Sequence, residues 1–275
     1  MCRFYAHHAN RPTLAADRLL HGATSLMAQS RRDLRGESHE DGWGIGYYVG
    51  DQPRVVRRAT SAAECREYRA AAEEVSAATF LAHVRQASVG ECSTVNTHPF
   101  ALGRWLFAHN GTVTGFDRVG PPLRKETSPD LLAALQGTTD SELVFHWLLS
   151  RCRATGIDLE SPCHDLTALR NVVAESIQRL AAASAAAGGN EPAKLNFLLS
   201  DGSFLLASRF GHSLHWINRV GPATDTAPRP GATTCTEYRA ALVASEPVTQ
   251  EAWQEIPDRS ILVVDADIQA RVYPF

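Results

Sequence analysis

The chain has 275 residues, of which 44% are hydrophobic and 21% charged, and its formal net charge is −3. This composition is typical of a globular protein, and without a basic stretch it excludes sequence-independent binding to nucleic-acid phosphates. No apolar run reaches the roughly 18 residues that span a bilayer, and the N-terminal stretch MCRFYAHHAN lacks the apolar segment of a signal peptide. We therefore expect a cytoplasmic protein that binds neither nucleic acid nor a membrane.

Short runs of β-branched and aromatic residues predict strands, and in chain order these are 3–7, 44–50, 54–58, 79–84, 104–110, 195–200, 203–209, 213–218, 241–245 and 260–266. Helix-forming composition and apolar residues three or four apart predict helices at 62–78, 140–154 and 164–187. Strands that follow one another without intervening helices favour antiparallel pairing. Two antiparallel sheets with helices outside are the simplest arrangement.

Three further segments carry turn or loop signals. Asp201-Gly202 lies between two apolar runs and predicts a hairpin. The Pro- and Gly-rich segments 119–130 and 219–237 are interpreted as surface loops, and the length of the second favours a functional role.

The six cysteines are scattered with no CxxC pair, and in a reducing compartment we expect them to remain thiols. The histidines show no metal-binding spacing such as HExxH, so we expect no metal and no other cofactor. Cys2 is distinctive because removal of Met1 would leave a thiol and a free α-amine on one residue, which is a nucleophile together with its own base. The alternative is that its position is due to chance.

Glycines 42, 44 and 46 alternate through the start of a strand. They indicate either a β-bulge or a close backbone approach between sheets, or a close approach of this strand to the N-terminal strand and its nucleophile. In the second case Asp41 and Trp43 would shape the rim of a site.

Two charged residues could bind the head group of an amino acid. Arg85 follows a predicted strand and is either a solvated surface charge or a bidentate ligand for a carboxylate. Thr139-Asp140-Ser141-Glu142 predicts a capping box with Asp140 at the first helical position. The alternative role of Asp140 is to bind a substrate α-ammonium group.

Asn110-Gly111 predicts a type I′ turn by default. Amide hydrolysis, however, needs donors aimed at an oxyanion, and the Asn110 side chain and the Gly111 N–H could supply both. His98, which precedes Pro99, could pin this region by packing or could take part in the site directly.

Seven motifs occur in the order seen in class II glutamine amidotransferases, which are N-terminal nucleophile hydrolases, and the chain resembles that family from Cys2 to Pro247: MCRF, DGWGIGYY, AHVRQAS, NTHPF, AHNG, TDSE and ASEP. The resemblance is strongest for the stand-alone branch. That branch includes the γ-glutamyl hydrolase of ergothioneine biosynthesis and the glutathione-degrading amidotransferase-like proteins.

The resemblance implies an α+β fold, a four-layer αββα sandwich of two antiparallel sheets, in a single amidotransferase domain spanning 2–275. It implies Cys2 as nucleophile with its own amine as base, and Asn110 and Gly111 as oxyanion donors. Arg85 would bind the substrate α-carboxylate and Asp140 the α-ammonium, and we add His98 as a further substrate-binding candidate.

One departure concerns specificity. In amidotransferases joined to a sugar-phosphate synthase the Arg motif usually continues with Trp and then Thr-His, whereas here residues 86–89 read Gln-Ala-Ser-Val. This leaves open whether glutamine is the only substrate.

We therefore expect hydrolysis of a γ-glutamyl amide, in glutamine or in a γ-glutamyl peptide or thiol conjugate, through a thioester on Cys2. One alternative is a glutaminase subunit that supplies ammonia to a synthase on another chain. Another is an inactive module that binds a γ-glutamyl ligand. The expected partners are the small-molecule substrate and either such a synthase or a second copy of the chain. Segments 30–40 and 219–237 are candidates for the walls around the leaving group.

Overall fold

The computed structural model describes residues 2–87, 90–188, 191–221 and 237–275. The strands within these ranges are β1 (Arg3–Leu14), β2 (Gly42–Val49), β3 (Gln52–Arg58), β4 (Ser76–Arg85), β5 (Phe100–Leu102), β6 (Trp105–Thr112), β7 (Lys194–Ser200), β8 (Leu205–Arg209), β9 (His215–Gly221), β10 (Tyr238–Ala244), β11 (Gln254–Glu255), β12 (Ser260–Val264) and β13 (Ala270–Pro274). The helices are α1 (Ala16–Leu19), α2 (Leu26–Arg31), α3 (Arg66–Glu74), α4 (Phe116–Glu126), α5 (Pro129–Ala133), α6 (Asp140–Ala154) and α7 (Leu166–Ala186).

The strands form two antiparallel sheets, as the sequence predicts. The first has the order β11-β9-β10-β1-β4-β2-β3 and the second β13-β12-β8-β7-β6-β5. Strand β1 lies inside the first sheet between β10 and β4, with Tyr5 opposite Ala244 and Arg3 opposite Val84. Because these pairs are antiparallel, the N-terminal end of β1 lies beside the C-terminal end of β4.

Alternating side chains place each sheet between two apolar layers. On β1, Phe4 packs between the sheets together with Leu106 and Leu198 of the second sheet, whereas Tyr5 belongs to the core under α1, α2 and α3. On β6, Phe107 points the other way and stacks on Phe145 of α6 with ring centroids 5.1 Å apart. The result is the predicted αββα sandwich.

The local helix predictions succeed to different degrees. Helix α6 has the predicted bounds, and α7 is shorter than predicted by a few residues. Helix α3 ends at Glu74 because β4 already begins at Ser76. Among the helices of the described ranges, none combines the length and the apolar run that a bilayer crossing requires.

The interpretation of 119–130 as a surface loop is wrong. This segment belongs to α4 and α5, with Pro121 and Pro122 inside α4. Burial of Val119 and Leu123 against the core under α6 and α7 outweighs the two missing helix N–H donors.

The hairpin predicted at Asp201-Gly202 is confirmed. It joins β7 to β8, and the Asp201 carboxylate accepts from the Ser203 N–H at 2.8 Å, which holds the turn. Of the predicted long loop 219–237, residues 222–236 lie outside the described residues.

Candidate active site

A cavity of about 740 Å³ brings together several elements that are distant in sequence. Its walls are built from Cys2, the end of β4, the end of β6 with the turn into α4, and the chain leading into β7. The lining residues are Cys2, Glu37, Gln86, Ala87, Asn110, Gly111, Thr112, Val113, Thr114, Gly115, Phe116, Asp117, Glu191, Pro192, Lys194 and His212. The proposed nucleophile and both proposed oxyanion donors therefore line the same cavity.

The Cys2 thiol is half-buried just before β1. Its Sγ donates to the Gln86 carbonyl oxygen at 3.3 Å and lies 3.4 Å from the Gln86 N–H. Burial raises the pKa of the Cys2 thiol, and the Gln86 hydrogen bond only partly opposes this effect. A thiol in this environment rests in its protonated form and needs a base in order to attack.

The turn predicted at Asn110-Gly111 does not form, because β6 continues through both residues and pairs with β7. Gly111 has φ +155°, and a Cβ there would lie 1.8 Å from the Lys194 carbonyl oxygen. Only glycine fits this position. The Asn110 side chain is buried, and its Nδ2 donates to Ser245 Oγ at 3.2 Å.

Asp140 is the first residue of α6, as predicted, and Thr139 caps the helix by accepting from the Glu142 N–H at 3.2 Å. Besides its favourable charge at the start of the helix, the Asp140 carboxylate accepts backbone hydrogen bonds. Its Oδ2 accepts from the Val113 N–H at 2.8 Å, and its Oδ1 accepts from the Ser141 N–H at 2.8 Å. Since the cavity lining includes Val113 but not Asp140, the carboxylate lies directly behind the wall.

Arg85 is buried, so its interpretation as a solvated surface charge is wrong. Its guanidinium donates to the carbonyl oxygens of Glu91 at 3.1 Å and Gly90 at 3.3 Å. The cavity is lined by the neighbouring Gln86 and Ala87 rather than by Arg85 itself. Ser88 and Val89, the rest of the segment that departs from the synthase-linked pattern, lie outside the described residues.

His98 packs in the interior instead of lining the cavity. Its ring lies 4.4 Å from His83 and 4.6 Å from Phe100, measured between centroids. Neither ring nitrogen has a hydrogen-bond partner among the described residues, and burial lowers the pKa of His98 well below its usual value. His98 therefore packs against His83 and Phe100 and does not line this cavity.

The glycines of β2 serve a close approach between the two sheets. A Cβ on Gly44 would lie 2.1 Å from the His98 carbonyl oxygen. The alternative, an approach to the N-terminal strand, is wrong because β4 lies between β2 and β1. Trp43 is a core residue packed on Tyr68, not part of a rim, whereas Asp41 supports the cavity wall by accepting from the Ala87 N–H at 2.7 Å.

A buried ionic network behind Cys2 was not predicted. The Arg3 guanidinium donates to the Cys2 carbonyl oxygen at 2.9 Å, to Glu246 Oε1 at 2.7 Å and to Asp33 Oδ2. Burial would raise the pKa of Asp33, but the Glu37 N–H and the Arg3 guanidinium lower it. The motifs MCRF and ASEP contain Arg3 and Glu246, so the sequence held a signal for these two, whereas Asp33 stands in none of the seven motifs.

Within the described ranges, no three His, Cys, Asp or Glu side chains are grouped closely enough to hold a metal ion. The cysteines described there are free thiols.

The family model described as glutamine amidotransferases class-II matches residues 11–271. The chain belongs to this family. The match confirms the resemblance that the motifs indicate, and it identifies this class-II amidotransferase as an enzyme of the amidohydrolase type.

Two curated relatives cover almost all of the amidotransferase chain. The probable glutamine amidotransferase DUG3 of Saccharomyces cerevisiae is 29% identical over 96% of this chain and 82% of its own length. The γ-glutamyl-hercynylcysteine sulfoxide hydrolase of Mycolicibacterium smegmatis is 30% identical over 96% of both chains.

Solved structures support the Ntn-type fold of this amidotransferase. A glutamine aminotransferase class-II domain protein from Silicibacter pomeroyi superposes with a TM-score of 0.68 at 24% identity, covering 100% of this chain and 99% of its own. The glutamine phosphoribosylpyrophosphate amidotransferase of Bacillus subtilis superposes with a TM-score of 0.62 at 14% identity, covering 99% of this chain and 49% of its own. At these identities the likeness concerns the fold alone.

Proposed function

We propose that this amidotransferase hydrolyses a γ-glutamyl amide bond and releases glutamate through a thioester on Cys2. The substrate is glutamine or, as the size of the cavity favours, a γ-glutamyl peptide or thiol conjugate. The observation that carries the proposal is that Cys2, Asn110 and Gly111 line one cavity. The relative from Mycolicibacterium smegmatis, a γ-glutamyl-hercynylcysteine sulfoxide hydrolase, supports the same type of bond.

In the proposed first step, Met1 has been removed and the α-amine of Cys2 takes the thiol proton. Sγ then bonds to the γ-carbonyl carbon, and the carbonyl π electrons move onto the oxygen. The Asn110 side-chain amide and the Gly111 N–H stabilise this oxyanion. The carbonyl re-forms as the C–N bond breaks, the amine of Cys2 gives its proton to the leaving nitrogen, and a γ-glutamyl thioester remains.

In the second step, water attacks the thioester carbonyl and the α-amine takes a proton from it. The C–S bond breaks, the proton returns to sulfur, and glutamate leaves. The raised pKa of the Cys2 thiol fits this scheme because the proton has to be removed during the reaction. An amine on the same residue is placed to remove it.

The head group of the substrate is assigned to Arg85 and Asp140 as a proposal from the family resemblance. Both lie directly behind the cavity wall, Arg85 next to Gln86 and Asp140 bonded to the Val113 N–H. The buried Asp140 carboxylate accepts hydrogen bonds from the Val113 N–H, the Ser141 N–H and the Ser141 hydroxyl, which are all neutral. An α-ammonium group would supply the opposite charge that a buried carboxylate favours.

The cavity extends beyond the catalytic groups along 112–117 and 191–194, and its volume of about 740 Å³ lies within the range of sites for extended small molecules. This space favours a leaving group larger than ammonia. Lys194 together with Asp117 and Glu191 offers charges of both signs to that group. Glu37 contributes a wall from the segment 30–40, as the sequence suggests.

The proposal is tested by measuring glutamate release from glutamine, γ-glutamylglycine, glutathione and γ-glutamyl-p-nitroanilide. We expect the wild type to release glutamate from at least one γ-glutamyl peptide without a partner protein. Cys2→Ala should abolish turnover, whereas Cys65→Ala, which changes another half-buried free cysteine, should not.

Three outcomes contradict the proposal. Turnover by Cys2→Ala removes the mechanism. Activity only with glutamine and only beside a synthase supports the ammonia-supplying subunit. Tight binding of γ-glutamyl ligands without turnover supports an inactive binding module. Intact-mass analysis of the active protein must also show that Met1 is absent.

A further inference from the structure

The hydroxyl of Ser245, in the ASEP motif, lies between the strand of the nucleophile and the Asn110 oxyanion donor. Its Oγ accepts from the Phe4 N–H at 3.0 Å and from Asn110 Nδ2 at 3.2 Å. Neither bond uses the proton of the hydroxyl. The other amide atom, Asn110 Oδ1, is buried without a partner in the described part of the chain.

A half-turn of the Asn110 amide exchanges Oδ1 and Nδ2, and this changes which atom donates and which accepts between Asn110 and Ser245. Ser245 still accepts from Phe4 and now donates its own proton to Oδ1. The NH2 group then occupies the place where Oδ1 has no partner. A buried donor in that place, on a residue that lines the cavity, lacks an acceptor until a substrate oxygen becomes negative.

We propose that Ser245 is a positioning residue that selects, by donating to Oδ1, the amide orientation in which Asn110 stabilises the oxyanion. This inference rests on the proposed function and adds a residue that does not line the cavity. Ser245 is well placed for the role because it is itself held firmly. Its N–H donates to the Phe4 carbonyl oxygen at 3.1 Å, and its carbonyl oxygen accepts from Ser213 Oγ at 3.1 Å.

The test is a double-mutant cycle on the fastest substrate of the panel above. Asn110→Ala should lower kcat by about 10²–10³. Ser245→Ala should lower kcat by about tenfold, with KM within about twofold of wild type. The reason is that the contact between the Asn110 amide and the oxyanion forms only in the transition state. The double variant should match Asn110→Ala, since Ser245 then has no amide to orient. Ser245→Thr, which keeps a hydroxyl, should retain kcat.

Ser245→Ala also removes the acceptor of the Phe4 N–H, which could shift β1 and with it Cys2. The rate at which iodoacetamide alkylates Cys2 reports that shift, because alkylation does not use the oxyanion donors. We expect wild-type alkylation in Ser245→Ala. Ser176→Ala, which removes a buried hydroxyl of α7 away from the cavity lining, is the matched control and should retain kcat. Should the alanine variant not fold, Ser245→Cys replaces it, because a thiol fills the site but is a weak donor.

The inference is overturned if Ser245→Ala, or Ser245→Cys in its place, keeps the wild-type kcat. It is also overturned if the kcat of the double variant falls below that of Asn110→Ala by the same factor that Ser245→Ala alone causes. A third contradicting result is that alkylation of Cys2 in Ser245→Ala slows in parallel with kcat. These results differ from a failure of the proposed function, in which Cys2→Ala would keep turnover or the wild type alone would release no glutamate from any γ-glutamyl peptide of the panel.

Discussion

Arg3 and Glu246 form a buried ion pair, with Nη2 2.7 Å from Oε1, although 243 positions separate them in the chain. Arg3 also donates to the carbonyl oxygen of Cys2 and bonds to the Asp33 carboxylate. The pair therefore joins the start of β1 to the segment that follows β10, and it fixes the backbone of the proposed nucleophile.

Removal of Arg3 should destabilise the protein strongly. Arg3→Met leaves Asp33 and Glu246 as two buried carboxylates without their cation, and we expect a loss of about 3–5 kcal/mol in the free energy of unfolding. Glu246→Gln keeps a hydrogen-bond acceptor for Arg3 and leaves the Asp33 carboxylate in place, so the free energy of unfolding should fall by only about 1 kcal/mol. Urea denaturation measures both. The control is Arg153→Met, which breaks an exposed pair with Asp130 and should have no measurable effect. Equal losses of stability in Arg3→Met and Arg153→Met would contradict the stabilising role of the buried Arg3 ion pairs.

Buried histidines should make the protein labile to acid. Burial lowers the pKa of His7 to about 3, that of His8 to about 4 and that of His83 to about 3, against about 6.5 in the unfolded chain. Below pH 6.5 the unfolded chain therefore binds more protons than the folded protein, so stability decreases with falling pH over the range from about 6.5 to about 4. Urea midpoints measured between pH 7.5 and 4.5 should fall steadily. A flat profile would contradict the burial of neutral rings, and His164→Gln, at an exposed position, should leave the slope unchanged.

The head-group assignment predicts an effect on substrate binding. Arg85→Lys loses the planar fork that a carboxylate prefers and should raise KM by about tenfold or more, with a smaller change in kcat. His98→Leu should leave KM unchanged, because the ring packs away from the cavity with both nitrogens unpartnered in the described part of the chain. Steady-state kinetics on a γ-glutamyl peptide measures both variants. A rise of KM in His98→Leu, with KM unchanged in Arg85→Lys, would assign substrate binding to His98 instead of Arg85.

Gly111 should not tolerate a side chain. In Gly111→Ala the new Cβ would meet the Lys194 carbonyl oxygen at a backbone angle that favours glycine. We expect a lower thermal midpoint and a loss of kcat of at least about 10²-fold, because the N–H that serves the oxyanion is displaced. Gly221→Ala, at a position with open space around it, should change neither quantity. Wild-type turnover by Gly111→Ala would remove this glycine from the site.

The predictions that succeed from sequence are those with local causes or with ordered motifs. Helix α6 follows from its cap and its apolar stripe, and both are contained in the segment itself. The turn predicted at Asn110-Gly111 fails because pairing of β6 with β7 overrides a local signal, and α4 is missed because tertiary burial overrides its two prolines. The motifs MCRF and ASEP contain Arg3 and Glu246, but a local motif does not show that two residues 243 positions apart form a pair.

The position of β1 between β4 and β10 has a consequence for biosynthesis. A ribosome makes β1 more than 200 residues before β10, the neighbour whose Ala244 pairs with Tyr5. Such distant pairing is slow to form. A nascent or prematurely terminated chain would therefore carry Cys2 without β10 and without the Ser245 and Glu246 contacts that follow this strand.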